Sequence, residues 1–69
     1  MIDEITNIMM LDPQRISIYL QDGNSIVKKL EDWIITATLN GIQFVNNELT
    51  LYTFVPYHAV NFIVAEVKR

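Results

Sequence analysis

Apolar residues recur at Ile2, Ile5, Ile8 and Met9, the spacing of one helical face. The pattern predicts a helix over about 2–11. Asp3 and Glu4 fall in its first turn, where the positive end of the helix dipole favours acids. Pro13 stops it, because Asp12, just before the proline, is pushed out of the helical region. So short a helix is marginal alone in water and needs an apolar surface to lie on.

After Pro13 the period changes. Ile16, Ile18 and Leu20 alternate with Ser17 and Tyr19, which predicts a strand over about 15–20. Gln21-Asp22-Gly23-Asn24 then reads as a hairpin turn, since Asp-Gly tolerates positive φ. The stretch from Ser25 to Leu39 fits a second strand, about 25–39, broken near 31–32, where Glu31 and Asp32 sit poorly inside a sheet. Ser25 is also a good helix cap, so a short helix over the same residues stays open. The hairpin turn before it favours the strand. Asn40-Gly41 and Asn46-Asn47 mark two more turns and delimit strands over about 42–45 and 49–55. Pro56 ends the run because it cannot donate to a ladder. Tyr57-His58-Ala59 reads as a short turn, and the last strand covers about 60–67, closed by Lys68 and Arg69. The expected fold is mostly β. It is a single domain over 1–69, with an N-terminal helix followed by five short, strongly bent antiparallel strands curling into an SH3-like or Sm-like barrel.

The last two strands lack a wet face. Leu49, Leu51, Thr53 and Val55 oppose Thr50, Tyr52 and Phe54; Val60, Phe62, Val64 and Glu66 oppose Asn61, Ile63, Ala65 and Val67. Strands apolar on both faces are usually covered on both. Composition sharpens the point. Apolar residues make up 51% of the 69 residues and charged ones 19%, the latter below the roughly one quarter usual in globular domains. A chain of this length buries only about 60% of the surface its unfolded form exposes. It has no cysteine for a disulfide and a single histidine, so neither a structural zinc nor any other metal or cofactor is expected. Oligomerisation is the remaining device. Leu51, Tyr52, Phe54, Val60, Phe62 and Val64 are the candidate oligomer interface.

Net charge is −3, from eight acids against Arg15, Lys28, Lys29, Lys68 and Arg69. Proteins that bind nucleic acid through phosphate show a basic excess, so tight non-specific binding is not expected, and neither is DNA. Lys28 and Lys29 form the only internal lysine pair; in a strand they point to opposite faces, so one of them at most serves a given surface. No run of about 18 apolar residues occurs, so no membrane crossing is expected. Asp3 and Glu4 stand where a secretory leader would be basic, and a cytoplasmic protein is expected.

Catalytic signatures are lacking. No Ser-His-Asp, Cys-His, P-loop or dinucleotide pattern occurs, and the densest acids, Asp22, Glu31 and Asp32, read as solvated loops. The chain is not expected to be an enzyme. Tyr19, Trp33, Tyr52, Phe54 and Tyr57 can stack on bases or, more commonly, pack in cores and interfaces. His58 is either a binding residue or a turn histidine bonded to nearby backbone.

Three stretches resemble the Sm-like (LSm/Hfq-like) family. An N-terminal helix precedes the strands. Ile16-Ser17-Ile18-Tyr19-Leu20-Gln21-Asp22-Gly23 is similar to the family's first strand and its polar-Gly turn. Pro56-Tyr57-His58-Ala59-Val60-Asn61-Phe62-Ile63 is similar to the Tyr-Lys-His-Ala-Ile segment that joins the last two strands in Hfq. Tyr57 adjoins His58 directly, without the intervening lysine, and divergent, phage-borne members are the nearer comparison. The resemblance implies a homo-oligomeric ring of about five to seven subunits, the fourth strand of one pairing with the fifth of the next so that no edge is left open. It also implies Tyr57 and His58 as candidate RNA-binding residues; Lys28 and Lys29 join them on their own chemistry, as cations able to touch phosphate. A protein-interaction or structural module of phage accessory type, with no nucleic acid, is the alternative.

Overall fold

In the computed structural model the described residues are 2–67. Lys68 and Arg69, expected to close the last strand, lie outside them. Helix α1 (Ile2–Met10) carries Asp3 and Glu4 in its first turn and buries Ile5, with Ile8 and Met9 packed beside it. The helix ends one residue earlier than its apolar pattern suggests. Leu11 and Asp12 donate their N–H groups to the Ile8 and Met9 carbonyls, and Asp12 turns left-handed at φ 51°. An aspartate tolerates that conformation better than most residues, and Pro13 forbids another helical turn.

Six strands follow: β1 (Pro13–Leu20), β2 (Ser25–Lys29), β3 (Trp33–Ala37), β4 (Gly41–Asn46), β5 (Tyr52–Pro56) and β6 (Val60–Val67), with a 3-10 turn, Tyr57–Ala59, between the last two. They form two antiparallel three-stranded sheets, ordered β2-β1-β6 and β3-β4-β5, with no closed barrel. The strand expected over 25–39 is thus two strands in different sheets. The chain leaves the first sheet at Leu30-Glu31-Asp32, where Leu30 donates to the Gln14 carbonyl and Asp32 to that of Lys29, and enters the second at Trp33.

The hairpin turn after β1 forms as its residues dictate. Gly23 takes φ +91°, and Asp22 accepts hydrogen bonds from the Asn24 backbone and side-chain amides at 2.9 and 3.0 Å. The strand expected from 49 starts instead at Tyr52. Leu49 turns left-handed (φ 61°), and the buried Asn46 captures the backbone that would have continued the ladder. Its Oδ1 accepts from the Thr50 and Leu51 N–H groups, each at 2.8 Å, while its Nδ2 donates to Thr50 Oγ1 and Glu48 Oε2.

The core lies between the sheets and under the helix. It comprises Ile5, Ile16, Ile18, Ile42, Phe44, Val55 and Val60. Seven side chains at about 1.5–3 kcal/mol each make a thin core. Val60, expected at the oligomer interface, lies in the core instead. Val60 is only 5% exposed because it packs into its own chain's core, so it is not offered to a neighbour.

Candidate functional site

Among the described residues β5 and β6 are each outermost in their sheet: β5 pairs only with β4, and β6 only with β1. Each presents a row of unpaired backbone groups. Just three residues, the Tyr57–Ala59 turn, separate the two strands, so the two edges run out from one corner of the molecule. The exposed apolar side chains Leu51, Tyr52 and Phe54 lie at or on β5, and Phe62 and Val64 on β6. The Phe62 ring stacks on Tyr19 of β1, with centroids 4.6 Å apart and planes 17° off parallel.

The corner is held by hydrogen bonds to the turn between β3 and β4. Tyr57 donates its N–H to the Asn40 carbonyl at 3.3 Å and its hydroxyl to the Thr38 carbonyl at 2.5 Å. Thr38 in turn donates its backbone N–H and its hydroxyl to the Gly41 carbonyl, while its Oγ1 accepts the Gly41 N–H. Gly41 is required here. A Cβ at this position would collide with the Val55 carbonyl oxygen and the Phe54 ring. Partial burial against the turn pushes the Tyr57 phenol above its ordinary value of 10.0. Tyr57 is therefore a positioned phenol. His58, next to it, is exposed, and its side chain makes no hydrogen bond to the described residues. Gln21 closes the other side, its N–H donating to the Ala59 carbonyl and its side chain to that of Val60.

The structure does not bring the two lysines to this corner. Lys28 and Lys29 align with Ile16 and Arg15 on β1, whereas the corner leads into Val60, aligned with Leu20. That is four residues along β1 and two strands across the sheet. The pair splits to opposite faces, as strand geometry requires. The Lys28 ammonium sits 3.7 Å from the centroid of the Trp33 ring, a cation–π contact. Lys29 shares a cross-strand row with Arg15 and Glu66. Arg15 and Gln14 both donate to the Glu66 carboxylate, which lowers its pKa from 4.5. These residues line an open cleft of about 470 Å³ together with Asp12 and Glu31. Arg15, one of the cleft's two cations, is already paired with Glu66 within it.

Asp22, Glu31 and Asp32 do not converge; Asp22 is consumed by its own turn. Among the described residues, no three His, Cys, Asp or Glu side chains gather as a metal would need. No helix of the described residues is long and apolar enough to cross a membrane. The corner residues Thr38 and Asn40 do not stand out as site residues in the sequence, where Asn40-Gly41 reads only as a turn. A polar pair before a glycine, with a tyrosine at the next chain reversal, is the signal that was there.

No family model, curated protein or solved structure matches this chain. Its functional reading therefore rests on the two strand edges, the corner between them and the charge pattern. One feature of that pattern matters most: no lysine or arginine occurs between Lys29 and Lys68.

Proposed function

We propose that the chain is a non-enzymatic, Sm-like subunit that closes into a homo-oligomeric ring of about five to seven copies, β5 of one copy pairing with β6 of the next. The observation that carries this is the pair of unpaired edges diverging from the Tyr57–Ala59 corner, one in each sheet. Head-to-tail pairing of two such edges uses a different surface on each partner, and rotation by a fixed angle closes it. The strand order supports the same reading. If β2 and β3 together take the part of the family's bent second strand, β5 and β6 are its fourth and fifth, and the two sheets are the halves of its small barrel. The thin core and the exposed Leu51, Tyr52, Phe54, Phe62 and Val64 are what such an assembly would cover.

A ring repeats Tyr57 and His58 once per subunit, and stacking of single-stranded RNA bases on these rings is the ligand reading, at about 1–3 kcal/mol per base. The second reading is a ring or interaction module without nucleic acid. The absence of any lysine or arginine over 30–67 favours it, because phosphate neutralisation dominates nucleic-acid affinity.

Light scattering tests the ring directly. The parent is expected to elute at a mass of several copies, and Val64→Lys, on exposed β6, to fall to a smaller species with unchanged circular dichroism. A parent that stays at one copy at high concentration removes the ring. Titration with U-rich and A-rich oligonucleotides at moderate salt separates the two ligand readings. Saturable binding lost in His58→Ala supports RNA, and no binding down to low salt leaves the ring without it.

A further inference from the structure

The outward face of the β3-β4-β5 sheet has no charge. Its two cross-strand rows are Ile34–Val45–Tyr52 and Thr36–Gln43–Phe54. Ile34 is 50% exposed, Tyr52 61% and Phe54 41%. None of the three strands contains a charged residue. Nine of the chain's charged residues fall in its first 32 positions, from Asp3 to Asp32; between Trp33 and Ala65 only Glu48 is charged. The outward face of the other sheet differs, because its row Arg15–Lys29–Glu66 is charged.

We infer that this uncharged face is a second self-association surface, packing face to face on the same face of another copy of this chain. Three observations select that occupant. First, the face has no cation for a phosphate backbone and none for an acidic peptide, so a charged partner gains nothing here. Second, its polar groups complement themselves. The Tyr52 hydroxyl donates to Gln43 Oε1 at 3.4 Å, leaving the Gln43 amide hydrogens as donors and the Tyr52 and Thr36 oxygens as acceptors. Across a two-fold axis, donors of one copy meet acceptors of the other, and the buried polar groups are satisfied. Third, a chain of net charge −3 repels its copies. Contact through the neutral face keeps charged side chains out of the contact itself, because none of its strands carries one, and the remaining charges repel through solvent and salt that screen them. Two antiparallel sheets pack this way about 10 Å apart, with the side chains of both inner faces forming the layer between.

This goes beyond the ring and does not need it: Tyr52 and Phe54, on the edge strand β5, border both contacts, and face-to-face contact doubles whatever the edges build. Native mass spectrometry and light scattering on the full chain decide it. Gln43 lies on the central strand, away from the free edges of β5 and β6. Gln43→Lys is expected to halve the parent mass with its circular dichroism kept, and Ile34→Lys to do the same. An equimolar mixture of Gln43→Lys and Gln43→Glu is expected to regain the full mass, since opposite charges then meet across the axis. Val64→Lys separates the two interfaces. If it leaves a two-copy species, the face holds without the ring. The inference is overturned if both face variants keep the parent mass, if the mixture stays at half, or if the parent is a single copy.

Discussion

The two sheets contain the same number of strands and share one core, yet they are held by different means. In β2-β1-β6 the long strands β1 and β6 have eight residues each and run side by side along most of their length. In β3-β4-β5 no strand exceeds six residues. A short ladder has fewer internal bonds against the fraying of its ends. This sheet answers with side chains at both ends: Asn46 gathers the turn before β5, and Thr38 with Tyr57 secures the turn before β4. The first sheet needs only the Asp22–Gly23 turn and its own length. The difference also divides the surface. The long-strand sheet carries the charged row Arg15–Lys29–Glu66, and the short-strand sheet is stapled by neutral groups and stays uncharged outside.

The largest expected effect tests what the sheets share. Phe44, on the central strand of the short sheet, is fully buried. Phe44→Ala is expected to cost about 3–5 kcal/mol. A domain of this size has roughly 3–10 kcal/mol in total at about 0.05–0.15 kcal/mol per residue. Most of the cooperative urea transition is therefore expected to disappear, measured at fixed protein concentration because assembly adds stability by mass action. A variant that unfolds at the parent's midpoint would mean the sheets do not depend on a common core.

Asn46→Ala separates them. It strands the Thr50 and Leu51 N–H groups that the buried amide accepts from, at a cost of about 1–3 kcal/mol. Hydrogen exchange is expected to speed up over β4 and β5 while β1 keeps its protection. Equal acceleration in both sheets would erase the distinction drawn between them.

That asymmetry also explains which parts of the molecule the sequence discloses. Local chemistry suffices for the helix, stopped by Asp12 and Pro13, and for the first hairpin, where Asp22 and Gly23 act on their own neighbours. It suffices for the alternation in β1, whose Ile16 and Ile18 are buried as their period requires. It fails at 49–51, where an apolar alternating pattern is overridden by Asn46 from the preceding strand. It fails again at 25–39, because the exit from one sheet into the other is fixed by Leu30 bonding to Gln14, sixteen positions earlier. The site follows the same rule. Tyr57 and His58 stand out in the sequence, but the anchoring of Tyr57 to Thr38 and Asn40 is a tertiary fact. So is the loss of Val60 to the core: the register shift that pairs Leu20 with Val60 right after Tyr19 with Phe62 turns Val60 inward, while Phe62 and Val64 stay outside.

The smallest effect concerns the charged end of the long-strand sheet. Hydrogen bonds from Arg15, then from Gln14, hold the Glu66 carboxyl below its ordinary 4.5, aided by the Arg15 charge and opposed by slight desolvation. A carboxylate whose folded pKa is depressed contributes stability that is present above its unfolded value and is lost as pH falls through the folded one. The contribution is therefore complete at neutral pH and fades only in acid, below that ordinary value. The pair is half exposed, so solvent screens it and its effect on stability is small. The carboxyl carbon shift of Glu66, followed by NMR from neutral to acid pH, is expected to titrate below the ordinary glutamate range. Arg15→Gln is expected to move it back towards the ordinary range. An unshifted Glu66 in the parent would mean that the charged row is not joined in solution. The two sheets would then differ in strand length and turn chemistry but not in how their outer faces handle charge.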